Sequence, residues 1–379
     1  MTIRQPTKIL FLITGLGRGG AENSLLQLMR GLPADRFSIS LVSLQNSGDY
    51  KAELELLGIS LTELHLDHAL NWLNGIVTLW RCLKNTKPDV LVNWMYHANL
   101  VGGVMGFLAR TPRILYNVRH STISVDSLRF LTRLIVRFGA LLARHGIAET
   151  VTFNSYRAAG IHVAAKYPLA TARVIHNGFD LVAFQRDSAL RAQTRRELKI
   201  SDEKLVVGII GRYDSVKNHA GFFRSIAEVM RKNAAVIAVA AGAGITAKNR
   251  DLAALMAELG IADKVLLLGK RDDVTALLNC CDVLVCSSFS ESFPRILGEA
   301  MACETPCVST DVGEARSILG NCGGVIAKEP EELGGAIEKL LSLSTQARAE
   351  IGQRGRARIQ ELFSEEQTIR RFIEQLDPR

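Results

Sequence analysis

Short aliphatic runs alternate along this chain with longer stretches in which apolar residues recur every three or four positions. Continuous apolar runs of a few residues between turn residues are the mark of strands buried on both faces, and the longer spacing marks helices lying over them. The pattern predicts strands at 8–14, 37–43, 61–66, 89–94, 114–118 and 150–154. After the segment VIHNGFD (174–180) and a polar, arginine-rich stretch through Ile200, a second series follows at 205–211, 235–241, 264–269, 282–288 and 306–310. Strand and helix alternate throughout, so the expected fold class is α/β, with two Rossmann-like, doubly wound parallel-sheet domains. A chain of 379 residues also exceeds what one core usually organises. The expected domains are 1–190 and 191–360, with 361–379 a terminal helix whose apolar positions Phe363, Ile369, Phe372, Ile373 and Leu376 could pack back on the first domain.

Two segments invite a membrane reading. The opening MTIRQPTKILFLIT has a short apolar run that passes directly into a glycine loop, which is expected to be a first strand and not a leader peptide. Residues 90–109 are strongly apolar but contain Asn93, His97, Asn99 and a glycine pair, so a strand followed by a buried helix is expected.

Composition adds little until charge is located. The formal charge of +8 arises entirely in the first half, where residues 1–180 carry 19 Lys and Arg against 11 Asp and Glu, while 181–379 carry 27 of each. A basic half beside a neutral one suits an anionic partner, although an ordinary solubilising surface gives the same count. In LRFLTRLIVRFGALLARH the arginines Arg129, Arg133, Arg137 and Arg144 form one stripe. That stripe fits a membrane-surface helix and equally a sheet-packing helix with a solvated basic face. The seven cysteines form no C-x-x-C pair and lie mostly in apolar runs, as reduced core thiols of a cytoplasmic protein would. No His/Asp/Cys cluster has metal-ligand spacing, and HLDH (65–68) reads as a polar turn. No metal or other cofactor is expected.

Gly15, Gly17 and Gly20 in GLGRGG match a dinucleotide-binding loop, but the following strand ends in Gln45 and Asn46 and lacks the acid that would hold a ribose. A dehydrogenase is therefore disfavoured. More chemistry is concentrated in CSSFSESFPRILGEAMACETPCVSTDVGEA (286–315), directly after a strand. Ser292 and Pro294 fit the start of a helix, whose first-turn N–H groups and dipole would favour an anion. Glu291 and Glu299 would lie about 12 Å apart if the span were helical. Glu299 stands among Ile296, Leu297, Ala300 and Met301, where an unpaired carboxylate is costly and a hydroxyl-rich ligand would satisfy it. Gly211, Arg212 and Lys217 follow the first strand of the second half, on a loop that could bring two cations to the same strand ends. Such a group can stabilise a departing nucleoside diphosphate without a divalent metal.

The pieces GGAE (19–22), NVRH (117–120), HNGFD (176–180), GRYDSVKN (211–218), GKRDDV (269–274) and the Glu-x7-Glu block with EAMACETP occur in the order found in glycosyltransferase family 4, and the chain resembles that family over nearly its whole length. The resemblance implies GT-B architecture, with two Rossmann-like domains facing across a cleft, and transfer of a hexosyl or N-acetylhexosaminyl group with retention of configuration. It implies a nucleotide-sugar donor, by family habit a UDP-sugar, and a glycan or lipid-linked acceptor of bacterial surface polysaccharide synthesis. No nucleic-acid partner is implied; peripheral contact of a cytoplasmic protein with an anionic membrane is. Position by position, the resemblance gives Glu291 the hydroxyls of the transferred sugar and Glu299 the ribose. Arg212 and Lys217 receive the diphosphate, with backbone N–H groups around Ile296 and Leu297. Arg271 faces the base, Phe293 lines the donor site, Gly19 lets the first-domain loop approach the donor phosphate or acceptor, and His120 is presented toward the sugar. The chain departs from the family pattern at His176, Ser292, Pro294, Glu304 and Glu314, the last two standing where glycine is usual. A sugar-nucleotide epimerase of the same architecture and a non-catalytic nucleotide-sugar-binding protein are the alternatives.

Overall fold

The computed structural model describes residues 5–17, 19–46, 50–66, 71–120 and 130–377. Contacts divide the chain into two compact units, one of Met1–Gly178 with Glu366–Arg379 and the other of Phe179–Glu365. Each is a parallel α/β sandwich.

The first unit is a seven-stranded sheet in the order β3-β2-β1-β4-β5-β6-β7. Its strands are β1 (Thr7–Ile13), β2 (Phe37–Ser43), β3 (Ser60–Glu63), β4 (Val90–Trp94), β5 (Arg113–Val118), β6 (Thr150–Phe153) and β7 (Ala172–Val174), all paired in parallel. Winding reverses between β1 and β4, and in such sheets ligands gather at the carboxyl ends of the strands beside that reversal. One face is covered by the helices Trp72–Thr86, Tyr96–Ala109 and Phe130–Arg144, which share a core with Leu10, Leu12, Leu91 and Tyr116. The opposite face holds the helices Gly20–Gly31 and Lys51–Leu56 and the terminal helix Glu365–Leu376, whose Phe372 and Leu376 are buried with Ile9, Phe11 and Leu115. Arg113 fixes the end of that terminal helix by donating to the carbonyls of Gln375 and Leu376, at 2.7 and 3.0 Å, while paired with Glu149 at 2.7 Å.

The apolar stretch 90–109 is a strand followed by a buried helix, and its glycine pair explains how. A Cβ on Gly102 would lie 1.8 Å from Asn93 Oδ1 and one on Gly103 1.9 Å from Tyr116 Oη, so only glycine lets the helix rest on the sheet this closely. Among the described residues no helix is long and apolar enough to cross a membrane.

The second unit has six parallel strands in the order β10-β9-β8-β11-β12-β13. These are β8 (Leu205–Ile210), β9 (Val236–Ala241), β10 (Val265–Leu267), β11 (Val283–Cys286), β12 (Cys307–Thr310) and β13 (Gly324–Ala327). Winding reverses between β8 and β11, so their carboxyl ends frame its crevice. The sequence pattern sets the joint near residue 190, whereas the contacts change allegiance after Gly178. Phe179 is fully buried with Leu278, Leu284, Leu297 and Phe363, which ties residues from 179 onward to the second core. The arginine-rich segment is the helix Ser188–Glu197, capped by Asp187, whose Arg191 and Arg195 each reach Asp282 at 2.8 Å. All seven cysteines are free, and burial pushes the thiols of Cys280, Cys281, Cys286, Cys303 and Cys307 up.

Glu304 adopts φ +58° just past the helix Arg295–Ala302. Its N–H donates to Met301 O at 3.0 Å and that of Thr305 to Ala300 O at 2.9 Å, the paired closure in which a left-handed residue, usually glycine, ends a helix. The left-handed conformation costs an L-residue about 1 kcal/mol. Glu304→Gly is therefore expected to stabilise the second unit by about 1 kcal/mol, raising Tm by about 2–4 °C in calorimetry. An unchanged or lower Tm would contradict this account of the turn.

Candidate functional site

At the carboxyl end of β8 the chain leaves as Gly211-Arg212-Tyr213-Asp214 and enters a single 3₁₀ turn, Ser215–Lys217, capped by the Asp214 carboxylate, which accepts from Val216 N at 3.0 Å. This bond, with Arg212 beside it, holds the Asp214 carboxyl below the usual carboxylate range. Asn218 then takes φ +51° and caps the helix His219–Lys232 by accepting from Gly221 N at 3.0 Å. The turn presents Lys217 toward the end of the neighbouring strand.

That neighbour, β11, ends in Cys286, and the loop after it is tied to the Lys217 turn. Ser287 Oγ donates to the carbonyls of Lys217 and Asn218 at 2.9 and 3.1 Å, and Phe289 N donates to Val216 O at 2.8 Å. Thr310 Oγ1 at the end of β12 donates to Ser288 O at 2.6 Å. The loop so held places Glu291 against Lys217, with Nζ–Oε1 at 2.5 Å, and Ser288 Oγ donates to the same oxygen at 2.9 Å. Beneath it runs Gly313, at φ +51°, where a Cβ would lie 2.5 Å from Glu291 O and 2.6 Å from Ser292 O. Any side chain there would lift the Glu291 loop.

The sequence expectations for this region are refined in five places. The helix after Glu291 starts at Arg295, with Pro294 at its cap position and no side-chain cap, so Ser292 does not cap it; its carbonyl instead accepts from Glu314 N at 3.2 Å. Proline's preset φ and missing N–H place it at the helix boundary. Residues 291–294 are consequently not helical, and the helical estimate of the Glu291–Glu299 separation does not apply. Glu299 is not an unpaired carboxylate: Arg295, one turn earlier, lies 3.3 Å away with both side chains largely buried. Leu297 N already donates to Pro294 O at 3.1 Å, which leaves Ile296 to supply a first-turn N–H. Phe293 is 5% exposed and packs against Phe179 and Phe363, so its side chain serves the core.

Arg212 is 67% exposed and joined to Asp214 at 3.1 Å, close in sequence and readily exchanged for a better anion. Arg271 is held by its neighbour Asp273, at 2.7 Å from Nε and 2.5 Å from a terminal nitrogen. The site therefore carries cations already neutralised by local carboxylates. Tyr213, Val216 and Phe289, all exposed, border the loop pair and have no sequence pattern that would have singled them out. Ser287, Ser288 and Thr310 could have been found only as hydroxyls at strand ends.

In the first unit, Gly19 precedes the helix Gly20–Gly31 in extended conformation, and the carboxylate of Glu22 folds back over it, 2.4 Å from where a Cβ would be. Burial pushes the Glu22 carboxyl up. His120 is exposed just beyond β5 and stacks on Tyr96, with centroids 5.9 Å apart. Its neighbour Arg119 turns inward, lying 4.1 Å over the Trp94 ring and donating to Asn177 Oδ1 at 2.9 Å. NVRH and HNGFD are thereby joined through a residue the sequence reading passed over. Among the described residues no group of three or more potential metal-ligating side chains converges. Asp67 and His68 of HLDH, and Arg129 of the arginine stripe, lie outside the described residues.

The family described as "Glycosyltransferase Family 4" matches residues 18–182, and that described as "Glycosyl transferases group 1" matches 191–358. The chain belongs to the family 4, group 1 glycosyltransferases. EpsF of Bacillus subtilis (strain 168), named as a glycosyltransferase, is 25% identical over 80% of this chain and 79% of its own. The D-inositol 3-phosphate glycosyltransferase of Mycobacterium marinum is 30% identical over 52% of this chain but only 42% of its own length. Among solved structures, Anabaena HepE in complex with UDP superposes with a TM-score of 0.85 at 24% identity, covering 98% of this chain and 99% of that one. A complex of the same protein with UDP-glucose gives 0.84, covering 97% and 99%. The fold of this glycosyltransferase is thus GT-B, with a seven-stranded and a six-stranded unit.

Proposed function

We propose that this glycosyltransferase transfers a hexosyl or N-acetylhexosaminyl group from a UDP-sugar, with retention of configuration, to a glycan or lipid-linked acceptor of bacterial surface polysaccharide at the inner face of the cell membrane. The observation that carries the reading is the Lys217–Glu291 pair at the β8/β11 reversal, a cation and a carboxylate held 2.5 Å apart on two mutually tied loops. The diphosphate would draw Lys217 and Arg212 from Glu291 and Asp214, releasing the Glu291 carboxylate to accept from the hydroxyls of the transferred sugar. Glu299, steadied by Arg295, would take the ribose, and Arg271 the base. The UDP and UDP-glucose bound in the HepE structures support the choice of donor.

Same-face displacement fits this arrangement: as the glycosidic C–O bond to the leaving phosphate breaks, the acceptor oxygen bonds to the anomeric carbon, and its proton passes to that phosphate. The two cations stabilise the negative charge that develops on the phosphate, and no metal ion is invoked. For His120 the reading rests on the resemblance and on its exposure at the end of β5.

A thermal-shift panel of UDP, GDP, ADP and NAD tests the donor reading. UDP at a hundredfold excess over its Kd is expected to stabilise the protein by about 2.7 kcal/mol, a shift of several degrees, with NAD inert. Stabilisation by NAD in place of UDP would overturn it. Product analysis separates the epimerase, which would release an altered nucleotide sugar without any acceptor.

A further inference from the structure

Lys217 and Ser288 converge on one oxygen of the Glu291 carboxylate, and the two donors differ in kind. Lys217 carries its charge on a long, flexible stem and is partly exposed, so an incoming phosphate can draw it away. Ser288 cannot follow. It is 2% exposed, and its carbonyl accepts from Thr310 Oγ1 at 2.6 Å. Its hydroxyl lies 3.7 Å from Cys286 Sγ, which donates to it. Burial, with the Glu291 charge nearby, pushes the Cys286 thiol up, so that thiol keeps its proton. A carboxylate can only accept, and the Ser288 proton is therefore committed to Glu291. A directed chain runs from the Cys286 thiol through the Ser288 hydroxyl to the carboxylate.

This hydroxyl is not what fastens the loop. The loop is held by the Ser287 and Thr310 hydroxyls and by the N–H groups of Phe289 and Glu314, and none of these bonds uses Ser288 Oγ. Its bond to Glu291 therefore acts on the carboxylate and leaves the backbone as it is. The Glu291 side chain is only 16% exposed, so water replaces a lost donor incompletely.

We propose that Ser288 is a positioning residue for the donor sugar: it keeps the Glu291 carboxylate in place once the diphosphate has taken Lys217, and through it the site favours a UDP-sugar over UDP. The inference rests on the donor reading above and adds the group that acts on Glu291 when its cation is withdrawn. Without the hydroxyl, the carboxylate loses a fixed donor at the moment Lys217 leaves and no longer keeps one orientation. The cost falls on the sugar, whose hydroxyls need an acceptor already in position. UDP alone offers that carboxylate nothing to hold, so its affinity is spared.

Calorimetric titration of the full chain with UDP, UDP-glucose and UDP-N-acetylglucosamine tests it. Ser288→Ala is expected to lower affinity for the UDP-sugar about tenfold, as loss of a hydrogen bond to a charged group does, and to change UDP affinity by no more than about twofold. Ser288→Thr, which keeps the hydroxyl, should recover most of the loss. In a Glu291→Ala background, Ser288→Ala should add no more than about twofold, because the residue through which it acts is gone. An equal loss for UDP and UDP-sugar would mean a loosened loop and would overturn the proposal. So would a tenfold loss that persists without Glu291, or no loss at all while wild type binds both ligands; these outcomes leave the donor reading standing. Wild type that binds neither UDP nor a UDP-sugar removes the donor reading and this inference together.

Discussion

Replacing both Arg212 and Lys217 by alanine is expected to lower the rate of sugar transfer by a factor of about a thousand or more, and to weaken UDP binding with it. Removing one preorganised group that stabilises developing charge typically costs a hundredfold to a thousandfold, and here two are removed. The single changes should differ. Arg212 is mostly solvated and, among the described residues, paired with Asp214, so Arg212→Ala loses an attraction for phosphate and disturbs little else. Lys217 is anchored to Glu291, so Lys217→Ala also leaves that carboxylate facing the incoming diphosphate. This allows two roles of Lys217 to be told apart. If Lys217 only neutralises Glu291, adding Glu291→Gln to Lys217→Ala should restore UDP affinity in calorimetric titration. If Lys217 binds the diphosphate, as proposed, affinity should stay low in Lys217→Ala/Glu291→Gln. Full transfer activity in Arg212→Ala/Lys217→Ala would end the electrostatic account of the site.

The difference between the two cations could not be read from the sequence, and the reason is general. Strand positions were legible because their apolar runs are buried on both faces: eleven runs expected from the pattern coincide with β1 to β6 and β8 to β12 to within a few residues. The strands that escaped, β7 and β13, are three and four residues long and occupy sheet edges, where few apolar side chains are required. Likewise the charged residues at the β8/β11 reversal were legible as a set, because topology brings the loops after those strands together. Which charge meets which was not. Arg295–Glu299 follows from helical spacing and could have been anticipated, but Lys217–Glu291 joins residues far apart in sequence, on loops tied by the Ser287 hydroxyl and the Phe289 N–H. Pro294 misled the reading in the opposite sense. It marks a helix start correctly, yet the boundary falls at the proline itself and leaves Ser292 outside. Glu304 is a case where a departure from the expected glycine was visible but its cost was not, until the positive φ was known.

Acidification between pH 6.5 and about 4 is expected to remove about 3 kcal/mol of stability from the first unit through His162 alone. This ring is fully buried; its Nδ1–H donates to Ala158 O at 2.7 Å, and its Nε2 accepts from Tyr96 Oη at 2.7 Å. Both nitrogens are thus matched to the neutral form, since the carbonyl can only accept. Burial, opposed by the Ala158 bond and reinforced by His120, brings the folded-state pKa down to about 4. Above pH 6.5 neither the folded nor the unfolded chain protonates this ring, and the full stability is present. Below it the unfolded chain binds a proton that the folded one refuses, so stability falls by about one proton's worth per pH unit until the pH passes through the folded value near 4. His97, also lowered by burial, acts in the same direction. Urea unfolding of the first unit, followed from pH 7 to pH 4.5, should show this slope in wild type. It should be about one proton shallower in Tyr96→Phe/His162→Leu, where the buried pair is removed together and no polar partner is stranded. Equal slopes in the two proteins would mean that His162 is protonated in the native state, and that Tyr96 Oη cannot be its donor.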